Sequence, residues 1–339
     1  MDERGSGAPM RSGAADSRGC APRGAADSVT PGAARALRVS GAGGWIGQRL
    51  LGLARAAGSP AAPIGRAALL DERAALPIAA GDVVVHLAAI AHRPAGAAAA
   101  AEYERINRDL AVSCARRARS AGARRFVFVS TAAMMRPGRA RALVETDAPE
   151  PRDAYARAKR DAEGLLAPLH EPGRFELVVV RPPLVYGPGA RANFARLLAL
   201  ADSPWPLPLA GATAARSMVY LDNLVDALLH AARAPAAAGG TFFVADGTER
   251  SAADWVRAVR AACGRPARLF APPDAWVRAA ARAARCRPVY ERLFLPLRVD
   301  AAALRATGWR PPVGVDDALA RTLAARADRT GTDASASAR

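Results

Sequence analysis

The chain has 339 residues, 51% of them apolar, with a mean hydropathy of +0.01, the balance of a globular protein with a sizeable core in one or two domains. Its formal charge of +17 rests on 47 Arg and a single Lys, but the arginines are scattered singly rather than gathered into the stripe of a nucleic-acid binder. Such a field draws in an anionic substrate such as a sugar nucleotide, or holds a protein near anionic lipid. No apolar run reaches the length of a membrane span, and no signal-peptide core precedes the first strand. Cys20, Cys114, Cys263 and Cys286 have no metal or redox spacing, so no metal site is expected and a reduced, cytoplasmic setting fits.

In chain order, residues 1–35 are a Gly/Ala/Ser/Arg-rich stretch without periodicity, expected to be a disordered tail, with Met10 an equally good start. Leu37–Ser40 reads as a strand, followed at once by glycines and a helical run, Ile46–Ala57. Asp82–Ala88 is a second strand, 105–121 a helix, Arg125–Ser130 a strand, Ala154–Leu169 a helix, Glu176–Arg181 a strand and Thr241–Val244 another. Continuous Val/Phe runs suit strands buried on both faces, and their alternation with helices points to an α/β fold with a doubly wound parallel sheet. After Arg181 the prolines 182, 183, 188, 204, 206 and 208 break regular structure. The expected division is therefore a dinucleotide-binding domain over 36–181, to which 217–245 return. A smaller substrate-binding region covers 182–216 and 246–325, and a loose tail 326–339.

Gly41, Gly44 and Gly47 stand between the first strand and the first helix. Such glycines permit a tight turn, close approach of a pyrophosphate and close helix–sheet packing, with the helix N-terminus facing the phosphates. An acid bonding the ribose 2′-hydroxyl is expected some 20 residues on, but 62–67 read Ala-Pro-Ile-Gly-Arg-Ala. Arg66 there faces a 2′-phosphate as readily as it marks an Arg-rich chain, so NAD and NADP both stay open.

Tyr155 and Lys159 are four apart on one helix face. A free Tyr is a poor base at neutral pH, and a nearby ammonium is expected to lower its pKa, so that the phenolate takes a proton from a sugar or alcohol hydroxyl. The pattern alone is loose. However, the one Lys of the chain follows one of only five Tyr by four residues, where Arg is a poor replacement for a compact ammonium. Ser130 and Thr131, at the end of a strand, supply a hydroxyl for the same pocket.

With these residues, the HLAA run at 86–89, Asn107, RPPLVYGPG at 181–189, RSMVYLDNLVDA at 216–227 and the close LRATGWRP at 304–311, the chain resembles the extended short-chain dehydrogenase/reductases. Among them it looks most like the nucleotide-sugar 4-epimerases of the UDP-glucose and UDP-N-acetylglucosamine type. The resemblance covers about 37–323 and implies a Rossmann fold, NAD (or NADP) as cofactor and a nucleotide sugar as substrate. It makes Tyr155 the acid and base, aided by Thr131 and Ser130, and gives Lys159 the nicotinamide ribose. Cofactor contacts are implied for Gly41, Gly44, Trp45, Ile46 and Gly47, for Leu87, Ala88 and Ala89, and for Arg66, Asn107 and Lys159. Asn193 and Arg216 are implied for the sugar nucleotide and its diphosphate. A homodimer through helices such as 105–121 and 154–169, and a setting in cell-envelope polysaccharide synthesis, are further implications. The text Ala-Ala-Met-Met-Arg at 132–136 departs from the family's usual continuation and leaves the sugar open. The lack of an Asp-Glu pair after Thr131 weighs against sugar 4,6-dehydratases. A net reductase of a keto-sugar or other carbonyl is the alternative on the same fold, and a non-catalytic dinucleotide sensor or nucleic-acid binder is disfavoured by the intact Thr131/Tyr155/Lys159 set.

Overall fold

The computed structural model describes residues 35–91, 96–190 and 192–336; the N-terminal tail expected over 1–35 lies almost wholly outside them. Eight strands form: β1 (Leu37–Ser40), β2 (Ala61–Ile64), β3 (Val83–His86), β4 (Arg125–Val129), β5 (Glu176–Arg181), β6 (Leu184–Tyr186), β7 (Met218–Tyr220) and β8 (Thr241–Phe243). Twelve α-helices accompany them among the described residues. These are α1 (Trp45–Ala56), α2 (Arg66–Leu70), α3 (Ala97–Tyr103), α4 (Leu110–Ser120), α5 (Ala154–Leu166), α6 (Ala192–Asp202), α7 (Leu221–Arg233), α8 (Ala252–Ala262), α9 (Asp274–Ala283), α10 (Arg287–Phe294), α11 (Ala302–Ala306) and α12 (Val315–Ala336).

Six strands make one parallel sheet in the order β2-β1-β3-β4-β5-β8, the doubly wound Rossmann arrangement expected. Every residue of β3, β4 and β5 is buried, because both faces are covered. Val39, Val85, Val127 and Val178 pack with Leu50 of α1 and Leu224 and Leu228 of α7. Val84, Phe126, Phe128 and Val179, one residue out of step, pack with Ala115 of α4 and Leu166 of α5. Period-two alternation therefore serves two apolar cores, and the strands read as unbroken apolar runs. A third core, around Tyr186, Phe194 and Trp255, holds the two-stranded β6–β7 sheet, α6, α8 and α12 together.

The strand order reverses between β1 and β3, whose last residues, Ser40 and His86, are register partners. Loops leaving the carboxyl ends on either side of that point diverge and open a crevice, where open α/β sheets bind ligands.

Several elements differ from the sequence reading. Strand β2 was not anticipated, since Ala-Ala-Pro-Ile has little strand character; it forms by pairing with β1 from Leu37↔Ala61 to Ser40↔Ile64. The 105–121 helix begins instead with a π-helical turn, Glu104–Asp109. Helix α12 runs to Ala336, through most of the stretch 326–339 expected as a loose tail. No helix among the described residues is long and apolar enough to cross a membrane.

Candidate active site

The turn after β1 is closed by the Gly44 amide donating to the Gly41 carbonyl at 2.9 Å. Gly41 has φ +70°, and a Cβ there would lie 2.6 Å from the Ala88 nitrogen, so only glycine lets this turn touch the loop after β3. A Cβ on Gly47 would lie 2.4 Å from the Gly41 carbonyl oxygen; its absence lets α1 start directly behind the turn. No side chain caps the N-terminus of α1, which leaves its first N–H groups and positive dipole end for a phosphate. Trp45 fixes the direction of the helix start by donating its indole N–H to the Pro188 carbonyl at 2.8 Å. Gly47→Ala is expected to cost about 1–3 kcal/mol through this backbone collision and to abolish dinucleotide binding. Denaturant midpoints and cofactor titration check both.

Leu87, Ala88 and Ala89 form the facing wall. The Leu87 amide donates to the Ser40 carbonyl at 3.1 Å, holding the wall to the end of β1. Asn107, fully buried in the π-helical turn, accepts from the Ile90 amide at 2.8 Å and donates to the Ile90 carbonyl at 2.9 Å. The extra residue of a π turn is a common device for re-aiming a side chain at a functional site. Here it turns both the carbonyl and the amino group of the Asn107 amide to the wall, so Asn107 positions the loop.

Tyr155 starts α5, whose N-cap Asp153 accepts from the Ala156 amide. Its ring stands edge-on to Tyr103, with centroids 5.9 Å apart, and its phenol faces the Thr131 side chain. Lys159, one turn on, is buried at 2% exposure; its Nζ donates to the Val129 carbonyl at 2.7 Å and lies 4.6 Å from the centre of the Phe128 ring. Ser130 Oγ is buried with no partner among the described residues. Thus α5 and the end of β4 bring Ser130, Thr131, Tyr155 and Lys159 to one place.

The electrostatics differ from expectation. Burial pushes the Tyr155 phenol up to about 12, the Thr131 side chain partly opposing it, and Lys159 plays no part in that shift. Burial instead pulls Lys159 down to about 7, with Glu163 opposing. The cation is weakened and turned toward Val129, so the structure does not show the anticipated lowering of the Tyr155 pKa. His86 was not singled out from the sequence. It is buried at the end of β3, bonds Ser40 Oγ at 2.9 Å and is held down to about 3 by burial first and by the Lys159 charge second. Its only sequence signal was its position at the head of HLAA.

Asn193 and Arg216 also come together, through a residue the sequence reading missed. Arg292 of α10 donates to Asn193 Oδ1 at 3.5 Å, and its charge, after burial, helps to lower Arg216 to about 10. Arg216 is anchored on the carbonyls of Leu295 (2.5 Å) and Glu291 (3.4 Å). Two guanidinium groups beside an amide form a cationic corner suited to a diphosphate. Arg292 lies 76 residues beyond Arg216, and nothing local marks it. Asn223, by contrast, ties Asp246 (2.8 Å) to the Val313 backbone from inside the fold; it is structural and does not cap α7. Arg66 is exposed at the start of α2, one residue past the N-cap that follows β2. No cluster of His, Cys, Asp or Glu able to hold a metal occurs among the described residues.

A Gly-lined turn that a Cβ would fill, an uncapped helix start at the switch point, and an orphaned buried hydroxyl beside a Tyr–Lys pair fit a dinucleotide and the reacting end of its substrate. Together they define a Rossmann fold with a candidate dinucleotide site at its switch point. The profile of the NAD dependent epimerase/dehydratase family matches residues 37–245, and the chain belongs to that family. It is 33% identical over 259 residues to the UDP-glucose 4-epimerase of Vibrio cholerae, covering 74% of this chain and 78% of that one. It is 29% identical over 175 residues to the ceramide reductase of Caulobacter vibrioides, covering 51% and 48%. Its fold matches that of RMD from Pseudomonas aeruginosa complexed with NADPH (TM-score 0.69, 20% identity, 86% of this chain and 98% of that one). It also matches the UDP-glucose 4-epimerase of Thermus thermophilus in complex with NAD (TM-score 0.65, 20% identity, 86% and 98%).

Proposed function

We propose that the protein is a nucleotide-sugar 4-epimerase acting on a UDP-hexose or UDP-N-acetylhexosamine, with Tyr155 as acid and base. The observation that carries this reading is the Tyr155–Thr131 contact beside buried Lys159, at the end of β4, where two hydroxyls follow one another. The relationship to the Vibrio cholerae UDP-glucose 4-epimerase over three-quarters of the chain supports it.

The cofactor, when bound, supplies the acceptor and donor of hydride. Gly41, Gly44 and Gly47 with the amides of Trp45 and Ile46 would hold its phosphates, and Leu87, Ala88 and Ala89 would contact it from the facing wall. Lys159, beside Tyr155 on the same helix face, would hold the nicotinamide ribose and supply a positive charge near the phenol. Thr131 holds the sugar oxygen by a hydrogen bond, with Ser130 Oγ, unpaired until then, as a second donor. Tyr155 Oη takes the proton of the 4-hydroxyl as that carbon is oxidised, and returns it when the carbon is reduced on its other face. Asn193, Arg216 and Arg292 hold the diphosphate while the sugar turns.

Arg216→Ala is expected to raise KM about 10–100-fold with a smaller change in kcat, because a charge-assisted contact to the non-reacting diphosphate is lost; initial-rate kinetics separate the two. Mass spectrometry of small molecules released from the purified protein tests the cofactor. Retained NAD with interconversion of gluco and galacto sugars supports the epimerase, whereas steady net oxidation of added NADPH overturns it.

The second reading is a net reductase of a keto-sugar or another carbonyl, using NADPH. It rests on Arg66, exposed just past β2 in place of an acid, and on the likeness over half the chain to a ceramide reductase. Arg66→Ala then raises the KM for NADPH but leaves that for NADH unchanged.

A further inference from the structure

Among the described residues, six large apolar side chains are exposed, and four of them, Trp205, Phe270, Trp276 and Val289, belong to the small C-terminal region. Trp205 and Trp276 stand 73% and 72% exposed, unusual for the side chain with most to gain from burial.

They do not sit on loose tips. Buried Arg260 of α8 donates to the carbonyls of Ala201 (3.0 Å), Ser203 (2.8 Å), Trp205 (3.1 Å) and Arg268 (3.4 Å), so one guanidinium clamps the Trp205 loop beside the 267–270 loop. The Phe270 amide then donates to the Leu207 carbonyl, and the Ala210 amide to the Phe270 carbonyl, each at 3.0 Å. Trp276 follows on the first turns of α9, and Val289 stands on α10, which Tyr290 binds to the start of α9 through Asp274 at 2.7 Å.

This helix pair hardly enters any core. Helix α9 buries only Ala281, and α10 buries nothing. Residues 265–292 carry seven Arg against two acids, and all seven Arg are exposed. The acids are already engaged, Asp274 with Arg278 and Glu291 with Arg152 and Arg287, so the outward charge is strongly positive. Rigidly presented tryptophans interleaved with arginines are the chemistry of a surface that lies on anionic headgroups, the rings at the acyl boundary and the charges at the phosphates.

We propose that this face, made of the clamped 203–210 and 267–270 loops with α9 and α10, docks on an anionic lipid bilayer without crossing it. The same α10 carries Arg292 toward Asn193 and anchors Arg216 near its end, so docking sets the cationic corner of the active site close to the membrane surface. The inference does not depend on the epimerase reading.

The test is co-sedimentation of the full chain with vesicles of one-third phosphatidylglycerol in phosphatidylcholine, against pure phosphatidylcholine. Quenching of tryptophan emission by brominated acyl chains is the second readout. The wild type is expected to partition into the anionic vesicles only, with quenching, and to be released by high salt. Trp205→Ala/Trp276→Ala and, separately, Arg282→Glu/Arg285→Glu are expected to lower the partition at least tenfold. Turnover without vesicles stays unchanged, since none of the four residues lies in the catalytic or binding machinery. Partition equal on neutral and anionic vesicles, or partition that survives both variants, overturns the proposal. So does a wild type that ignores vesicles but dissociates, in sedimentation equilibrium, from an oligomer to a monomer in the tryptophan variant, since the face then joins copies of the chain.

Discussion

Tyr155→Phe is expected to lower turnover about 10²–10⁴-fold while leaving the fold and cofactor content intact. The substitution removes one hydroxyl. The ring keeps its edge-on contact with Tyr103 at 5.9 Å, and the half-buried site loses only one hydroxyl facing Thr131, at a cost of no more than about 0.5–1.5 kcal/mol. Stability and chemistry therefore separate. Because burial holds the phenol near 12, the wild-type rate should climb with pH toward that value, and the Phe variant should lack this limb. Turnover of the Phe variant within tenfold of wild type, with the limb still present, removes Tyr155 from the role of base.

Much of the sheet was legible because strands buried on both faces leave unbroken apolar runs: Glu176–Arg181 and Leu37–Ser40 form as read. The β2 strand was hidden because its pairing with β1, not its own composition, makes it extended. The end of α12 was hidden because residues past 325 are polar and small, without the spacing of an apolar stripe. At the site, Tyr155 and Lys159 were visible through a local four-residue spacing and the rarity of Lys. What sets their electrostatics is not in that spacing: burial by the surrounding fold dominates for both, with Thr131 after β4 opposing it at Tyr155 and Glu163, one turn further along α5, opposing it at Lys159. Arg292 reaches Asn193 from a helix 99 residues further along the chain, a juxtaposition that no local spacing marks. The chemistry of a single helix face can be read from spacing, whereas a pKa depends on what the fold packs against it, which is why the direction expected for Tyr155 is reversed in the structure.

Lys159→Met is expected to be inactive and yet more stable than the wild type, a combination that only a residue retained for function produces. The native protein carries this amine at 2% exposure, with one carbonyl as partner and no carboxylate bonded to it among the described residues, and burial brings its pKa from 10.5 to about 7. The sign follows from proton counting. Below pH 7 the amine is charged in both folded and unfolded chains, and the full desolvation penalty weighs on the fold. Between about pH 7 and 10.5 the unfolded chain holds a proton that the folded one has shed, so this group makes the wild type more stable as pH rises. Methionine carries no such charge and fills most of the same volume, while leaving the Val129 carbonyl without its donor. The variant should therefore gain about 1–3 kcal/mol near pH 6, and the gain should fade toward pH 10. Denaturant titrations across that range measure it, and an advantage for the variant that is flat with pH, or a loss at pH 6, contradicts the buried-amine account. One further readout belongs to this pair alone. Because the Lys159 charge helps to hold His86 down, the His86 pKa should rise in the variant, a shift that NMR titration of the imidazole resolves even though the enzyme no longer turns over.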